Sequence, residues 1–151
     1  FGDSHPVWNN IFTLAKEIPN KFSYVNRVAY CVYKDEGYDM HSDGLHVCRE
    51  AADILREADA AVTSNIMNPK IAQCFAVLFP LSCSEGKRYA IAIRAVVTSD
   101  FMTARSAIPG ADFPMEALDR TVDEIKAACG KDVSMIFYDV TGKPPATVEW
   151  E

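Results

Sequence analysis

The sequence lacks several features that would assign it at once to a functional class. It contains no glycine-rich loop of the G-x-x-x-x-G-K-[ST] or G-x-G-x-x-G type, the usual phosphate-binding loops of nucleotide enzymes. No apolar run approaches the roughly 20 residues that span a membrane, and no basic segment followed by an apolar one opens the chain. We therefore expect neither a membrane partner nor a triphosphate site of the usual kind.

Positive charge and paired cysteines are also scarce. The 151 residues include 15 Lys and Arg against 21 Asp and Glu, a formal net charge of −6. Because broad binding to nucleic acid needs many cations that neutralise phosphates, we expect no nucleic-acid partner. The five cysteines form no C-x-x-C pair, and their odd number favours reduced thiols over a disulfide framework. This pattern predicts a cytoplasmic protein.

The few histidines are not arranged for metal binding or catalysis. The stretch HSDGLHVC holds His41, Asp43, His46 and Cys48, but a zinc site needs about four converging ligands and no second cluster supplies the rest. Cys48 also falls on the apolar face of a predicted helix. We interpret the stretch as a surface loop with a core thiol, expect no metal site, and assign no catalytic nucleophile.

What the chain does contain is a regular alternation of helical and extended patterns. Apolar residues at helical spacing predict a first helix that stops at Pro19, followed by a strand at 25–33. A second amphipathic helix is predicted to begin at Ser42 or Asp43 as its N-cap and to end near 59–62.

The second half of the chain predicts a hairpin, a helix and a strand. Apolar segments at 71–82 and 88–99 are joined by the glycine-containing turn SEGK (84–87), which is typical of antiparallel neighbours. Asp112 and Pro114 open a third helix that Gly130 ends. Together with a last strand, these elements predict an α+β fold with an antiparallel sheet and helices mainly on one face.

The chain also indicates an internal repeat. Residues 8–33 and residues 115–140 share a pattern. Each block consists of an amphipathic helix, a short polar break and an apolar strand that begins with Val. We therefore predict that residues 1–40 are the closing half of a first unit. Residues 41–151 then form a complete second unit of helix, strand, strand, helix and strand.

Three polar residues stand out within this pattern. Arg94 lies inside an apolar strand, and a buried guanidinium needs an anion; an ion pair with Asp100 or Asp139 is favoured over direct ligand contact. The amide of Gln73 shares an apolar strand face and needs a partner, for which a backbone contact is the simplest choice. Lys143 follows a glycine that permits a left-handed turn, so its ammonium is either a phosphate contact or a solvated turn lysine.

The C-terminal stretch YDVTGKPPATVEWE (138–151) resembles the extreme C-terminus of glutamine-hydrolysing GMP synthetases. Their pattern reads Tyr-Asp-(Ile/Leu)-(Ser/Thr)-(Ser/Gly)-Lys-Pro-Pro-(Ala/Gly)-Thr-x-Glu-Trp-Glu. The resemblance extends to KIAQCFAVLFPL (70–81), to RYAIAIRAVVTSDFMTA (88–104) and to the helix before the last strand. Residues 8–30 resemble the closing half of the extra copy that longer, eukaryotic-type members have.

The resemblance implies a C-terminal dimerisation domain of an enzyme that converts XMP to GMP with ATP, Mg²⁺ and ammonia from glutamine. In that family the glutaminase and ATP-pyrophosphatase domains lie upstream, and they are the expected partners within the polypeptide. The resemblance implies that this chain binds no cofactor itself and is inactive alone. Either a homodimer or an internal second copy would pack against it.

The resemblance also implies a site. The family's lysine at the position of Lys143 is expected at the phosphate of XMP, and Gln73 and Glu149 are expected to contact XMP too. Residues that match the family pattern and would frame the pocket are Arg94, Asp100 and Thr103. The alternatives left open are a non-catalytic dimerisation module and a regulatory domain that senses a small molecule.

Overall fold

Eight helices and strands make up the part of the chain that the computed structural model describes, which is residues 6–37, 39–42, 44, 46–100, 102–147 and 150. In chain order they are α1 (Trp8–Lys21), β1 (Ala29–Lys34), α2 (Arg49–Ile66), β2 (Gln73–Phe79), β3 (Tyr89–Val97), β4 (Arg105–Ser106), α3 (Met115–Cys129) and β5 (Val133–Asp139).

The five strands form one mixed sheet. The strand order is β1-β5-β3-β2, and β4 pairs with the end of β3. The hairpin of β2 and β3 is antiparallel as predicted, and so is the pair of β1 and β5. β5, however, runs parallel to β3, because α3 carries the chain back along the sheet before β5 begins. The α+β class is confirmed, but the expectation of a wholly antiparallel sheet is wrong in this central pair.

The helices pack on one face of the sheet, as predicted. Residues of all three helices share a core with alternate residues of the strands. On α2, the Asp59 carboxylate accepts a hydrogen bond of 2.8 Å from the backbone N–H of Ala76 in β2. On α1, the Trp8 ring lies edge-on to Tyr30 of β1 and Tyr138 of β5, at centroid distances of 5.6 and 5.5 Å.

The opposite face of the sheet is closed off as well. On β3, the side chains of Ala90, Ala92, Arg94 and Val96 point to this face, and all four residues are fully buried. The segment that follows β5 is called the C-terminal tail (residues 140–151), and its described residues, 140–147 and 150, supply part of the cover. Small alanines on the central strand let this segment approach the sheet closely.

The predicted end of α1 is wrong by two residues. The helix continues through Pro19 to Lys21, and the N–H of Phe22 donates to the carbonyl of Ile18 at 2.9 Å. A proline this close to the end of a helix removes only one of its hydrogen bonds, so the last turn is retained. β1 in turn begins at Ala29 rather than at residue 25, where it starts to pair with β5.

α2 begins later than predicted. Its N-cap is Cys48, whose Sγ accepts a hydrogen bond from the N–H of Ala51 at 3.5 Å. Cys48 is exposed, so the prediction of a core thiol there is wrong, as is Ser42 as the cap. The other proposed cap, Asp43, lies outside the described residues. The helix also runs on to Ile66, because its apolar face continues to contact α3 and β2.

Other expectations concern membrane spans, metals and thiols. Of the helices described, none is long and apolar enough to cross a membrane. Within the described ranges, no three His, Cys, Asp or Glu residues are grouped so that they could hold a metal ion. All five cysteines are unpaired, and Cys74, Cys83 and Cys129 are buried.

Candidate functional site

Five of the predicted site residues, Gln73, Arg94, Asp100, Thr103 and Lys143, lie at one end of the sheet, where β3 and β5 end and β2 begins. Gln73 opens β2 and lies opposite Val96 of β3. Arg94 is two residues earlier on β3, and the parallel register of Ile93 with Tyr138 brings Arg94 beside the end of β5. The turn after β3 and the C-terminal tail both start from this end.

A buried ion pair organises this end of the sheet. The Arg94 Nη1 atom donates to Asp139 Oδ2 at 2.6 Å, and neither side chain is exposed. Arg27 Nη1 donates to the same oxygen at 2.5 Å, and the N–H of Thr141 donates to Oδ1 at 2.9 Å. Burial lowers the pKa of the Arg94 guanidinium, against which Asp139 acts to raise it. Of the two partners considered for Arg94, Asp139 is confirmed and Asp100 is not.

Arg94 also holds the C-terminal tail. Its Nη1 atom donates to the carbonyl of Thr141 at 3.0 Å, and its Nη2 atom donates to the carbonyl of Thr147 at 2.8 Å. The N–H of Ala146 donates to the carbonyl of Gly142 at 3.2 Å, which closes a turn between these two points. One guanidinium thus binds both ends of the segment that contains Lys143.

The backbone of Lys143 is paired with the turn after β3. The Lys143 N–H donates to the Ala104 carbonyl at 2.6 Å, and the Ala104 N–H donates back to the Lys143 carbonyl at 3.1 Å. A Cβ atom on Gly142 would lie 3.2 Å from that Ala104 oxygen, so the glycine permits a close backbone approach. The φ angle of Gly142 is not positive, so the left-handed turn that this glycine permits is not formed. The peptide bonds before Pro144 and Pro145 are cis.

Asp100 shapes the turn that pairs with Lys143. Its Oδ1 atom accepts hydrogen bonds from the N–H groups of Met102 and Thr103, at 2.9 and 3.1 Å. The Thr98 hydroxyl donates to the Thr103 carbonyl at 2.6 Å. The N–H groups of Thr103 and Met102 lower the pKa of the Asp100 carboxyl, because they stabilise its charged form. An open cleft of ≈ 490 Å³ runs along this turn, lined by Val97, Thr98, Ser99, Thr103, Ala104 and Arg105.

Two buried polar atoms at this end have no hydrogen-bond partner among the described residues: Gln73 Oε1 and Arg27 Nη2. The backbone contact expected for the Gln73 amide is therefore not found for its oxygen. Buried polar atoms of folded proteins are nearly always paired with protein or water, so an unpaired acceptor marks a place that a donor can occupy. Glu149, the remaining predicted contact, lies outside the described residues.

Sequence reasoning missed Arg27. Its side chain is only 12% exposed, and its guanidinium lies over the ring of Trp150, with Cζ 4.2 Å from the centroid. Trp150 in turn stacks on Phe79 of β2, with a centroid distance of 6.3 Å. A signal was available, because Arg27 interrupts the apolar pattern VNRVAY as Arg94 interrupts its own strand.

Comparison with known proteins identifies the family. The family model described as the GMP synthase C-terminal domain matches residues 60–150, which is more than half of the chain. The chain belongs to the GMP synthase C-terminal domain family. The resemblance noted in the sequence is thereby confirmed, and every predicted site residue lies within the matched range.

Curated relatives are similar to more than two thirds of the chain. The glutamine-hydrolyzing GMP synthase of Legionella pneumophila (strain Corby) is 43% identical over 116 residues. Those of Psychrobacter arcticus and Alkalilimnicola ehrlichii are 44% identical over 115 and 41% identical over 119 residues. Each match covers 70% of this chain but only 20 to 21% of the relative. The chain thus spans about a fifth of the length of these relatives.

Replacing Arg94 with Met should lower the free energy of unfolding by about 3 kcal/mol, as expected when one partner of a buried pair is removed. In this variant Asp139 still pairs with Arg27, so the decrease in the free energy of unfolding should lie at the low end of the usual range. The measurement is urea unfolding of residues 1–151. The control is Arg56→Met, which breaks a surface pair whose arginine is 70% exposed and should change stability by less than about 0.5 kcal/mol. Equal effects of the two changes would contradict the assignment.

The carboxyl of Asp100 should titrate below its ordinary pKa of 3.8. Because the pKa in the folded state is lower than in the unfolded state, Asp100 contributes stability above pH 3.8, and this is lost as the pH falls through the folded value. Carboxyl ¹³C NMR titration measures that midpoint, and Asp100→Asn should make stability less dependent on pH in this acid range. A midpoint at or above 3.8 would rule out the two N–H contacts as its main influence.

Proposed function

We propose that the chain is the C-terminal part of a cytosolic, glutamine-hydrolysing GMP synthetase and that it completes the XMP-binding pocket. Family membership supports this reaction, which the names of the relatives state for those proteins. The chain spans about a fifth of their length, and the glutaminase and ATP-pyrophosphatase steps would be carried out by upstream domains, as the resemblance implies. ATP and Mg²⁺ would be held there too, and the isolated chain would be inactive.

The observation that carries the proposal is the placement of Lys143. Its backbone is paired with Ala104, and Arg94 binds the tail on both sides of it. An ammonium on a backbone held in this way can serve as a point charge for the phosphate of a purine monophosphate. Little chain entropy would then be lost when the ligand binds, because the segment is already ordered.

Two further residues complete the proposed contacts. The unpaired Gln73 Oε1 can accept a hydrogen bond from an N–H of the purine base or from a ribose hydroxyl. A carboxylate would repel the phosphate, so Glu149 would engage a hydroxyl, the base or Lys143. Arg94, Asp100 and Thr103 would act on the pocket indirectly, by holding the tail and the turn beside it.

Changing Lys143 to Ala in the full-length enzyme should raise the KM for XMP about 10- to 100-fold, the effect of losing one hydrogen bond to a charged group. The KM values for ATP and glutamine should stay the same, because their sites lie in other domains. The control is Lys131→Ala, which removes an exposed lysine from the turn before β5. If the two variants bound XMP equally well, Lys143 would have no place in the pocket.

We also propose that β1 and the outer side of α1 pack against a further part of a first repeat unit that has the same fold. β1 pairs with β5 about a local two-fold axis that places Tyr30 opposite Tyr138, and α1 precedes β1 as α3 precedes β5. On its other side β5 pairs with β3, so the same axis would place an equivalent strand on the outer edge of β1. That strand would come from the front half of a first repeat unit.

The outer side of α1 is suited to such packing. Leu14 on α1 is 53% exposed, and Phe22, the residue that caps the C-terminal end of this helix, is 45% exposed. The equivalent helix α3 is covered by α2. Exposed apolar side chains that continue a helix face favour burial against another element.

Changing Leu14 to Arg in the full-length enzyme tests this packing by light scattering and thermal unfolding. A lower melting temperature at unchanged mass is the expected result, because the charge would be buried between repeat units. Dissociation into smaller particles would instead identify the neighbour as a second subunit. Thr13→Arg places the same charge on an adjoining side of α1 and is the control. If neither quantity changed, the face would be solvated and the packing proposal would fail.

A further inference from the structure

We propose that Arg27 is a positioning residue for the C-terminal tail and that it acts through Trp150. The residue belongs to the first helix–strand unit, whereas the tail belongs to the last. Arg27 would thus link the two units at the end of the sheet where Lys143 lies. Its effect on XMP rests on the proposed function, but its effect on the tail does not.

The Arg27 guanidinium makes two kinds of contact, one along its edge and one across its face. Along its edge, Nη1 donates to Asp139 Oδ2 at 2.5 Å. Across its face, Cζ lies 4.2 Å from the centroid of the Trp150 ring. A planar guanidinium can stack on an aromatic ring while it binds a carboxylate, and the side chain is only 12% exposed, so water competes little with either contact.

Trp150 also contacts β2. Its ring stacks on Phe79 with a centroid distance of 6.3 Å and an interplanar angle of 25°. Its φ angle is 72°, a left-handed conformation that is unfavourable for a large side chain and persists only where contacts hold it. Arg27 and Phe79 supply such contacts.

The tail therefore has two attachments that meet on one carboxylate. Arg94 binds the carbonyls of Thr141 and Thr147, and Arg27 covers Trp150. Both arginines donate to Asp139 Oδ2. In sequence the two attachments enclose Glu149, so a change at Arg27 should reach the part of the tail where the second proposed XMP contact lies.

Lysine at position 27 separates the two roles of the arginine. A lysine keeps a positive charge for Asp139, so the fold should survive, but it has no planar face to stack on Trp150. Arg27→Ala is a poorer test, because it removes the ion pair with the buried Asp139 together with the stacking contact. The matched control is Arg88→Lys. Arg88 also pairs with a carboxylate, that of Glu50 at 2.6 Å, and lies 5.0 Å from the Tyr89 ring, but it is 46% exposed.

The experiment compares the full-length enzyme with its Arg27→Lys variant by two measurements. Hydrogen exchange of the peptide 141–151 without XMP should be about 3- to 10-fold faster in the variant, since a partly desolvated cation–π contact is lost. The KM for XMP should rise by a similar factor while kcat stays unchanged. Arg88→Lys should change neither quantity.

Unchanged tail exchange in Arg27→Lys would overturn the proposal, whatever happens to XMP. Faster exchange with an unchanged KM for XMP would support the positioning role and refute the proposed pocket role of the tail, so the two failures are distinguishable. The route through Trp150 is tested in a Trp150→Ala background. There, Arg27→Lys should have no further effect on tail exchange, and an additive effect would contradict that route.

Discussion

The structure depends on one buried ion pair, between Arg94 in the central strand and Asp139 at the end of the neighbouring strand. Neither side chain reaches solvent, so each charge must be satisfied by protein groups. The carboxylate meets this need with Arg27 and the N–H of Thr141, and the guanidinium meets it with two tail carbonyls. Because the buried guanidinium needs the tail carbonyls as hydrogen-bond acceptors, the chain after β5 folds back over the sheet.

That requirement explains why the candidate site lies at this end of the sheet. Once the tail is bound to Arg94, its backbone passes the turn after β3 closely enough that only glycine fits at position 142 without pressing on the Ala104 oxygen. Lys143 then stands beside a turn that Asp100 holds through two N–H groups. The proposed substrate contact is thus placed by a network of hydrogen bonds rather than by a rigid helix or strand.

Sequence patterns predicted the features that depend on neighbouring residues, such as helix ends. They missed the features that depend on residues distant in sequence, such as strand pairing. Pro114 and Gly130 bound α3 as expected, because capping is local. A buried guanidinium needs a carboxylate partner, so the sequence limited the partner of Arg94 to two candidates, Asp100 and Asp139. The parallel pairing of β5 with β3 and the role of Arg27 were missed. Both follow from the strand order, which no short stretch of sequence specifies.

The most direct test of the account is backbone hydrogen exchange in the tail of the ligand-free protein, measured residue by residue by NMR. The N–H groups of Lys143 and Ala146 donate to Ala104 and Gly142. If Arg94 holds the tail against the sheet before any ligand binds, both amides should exchange at least about 100-fold more slowly than in an unfolded chain, and the amide of the exposed turn residue Lys131 serves as the reference. Exchange of both amides at the unfolded rate would contradict the central claim.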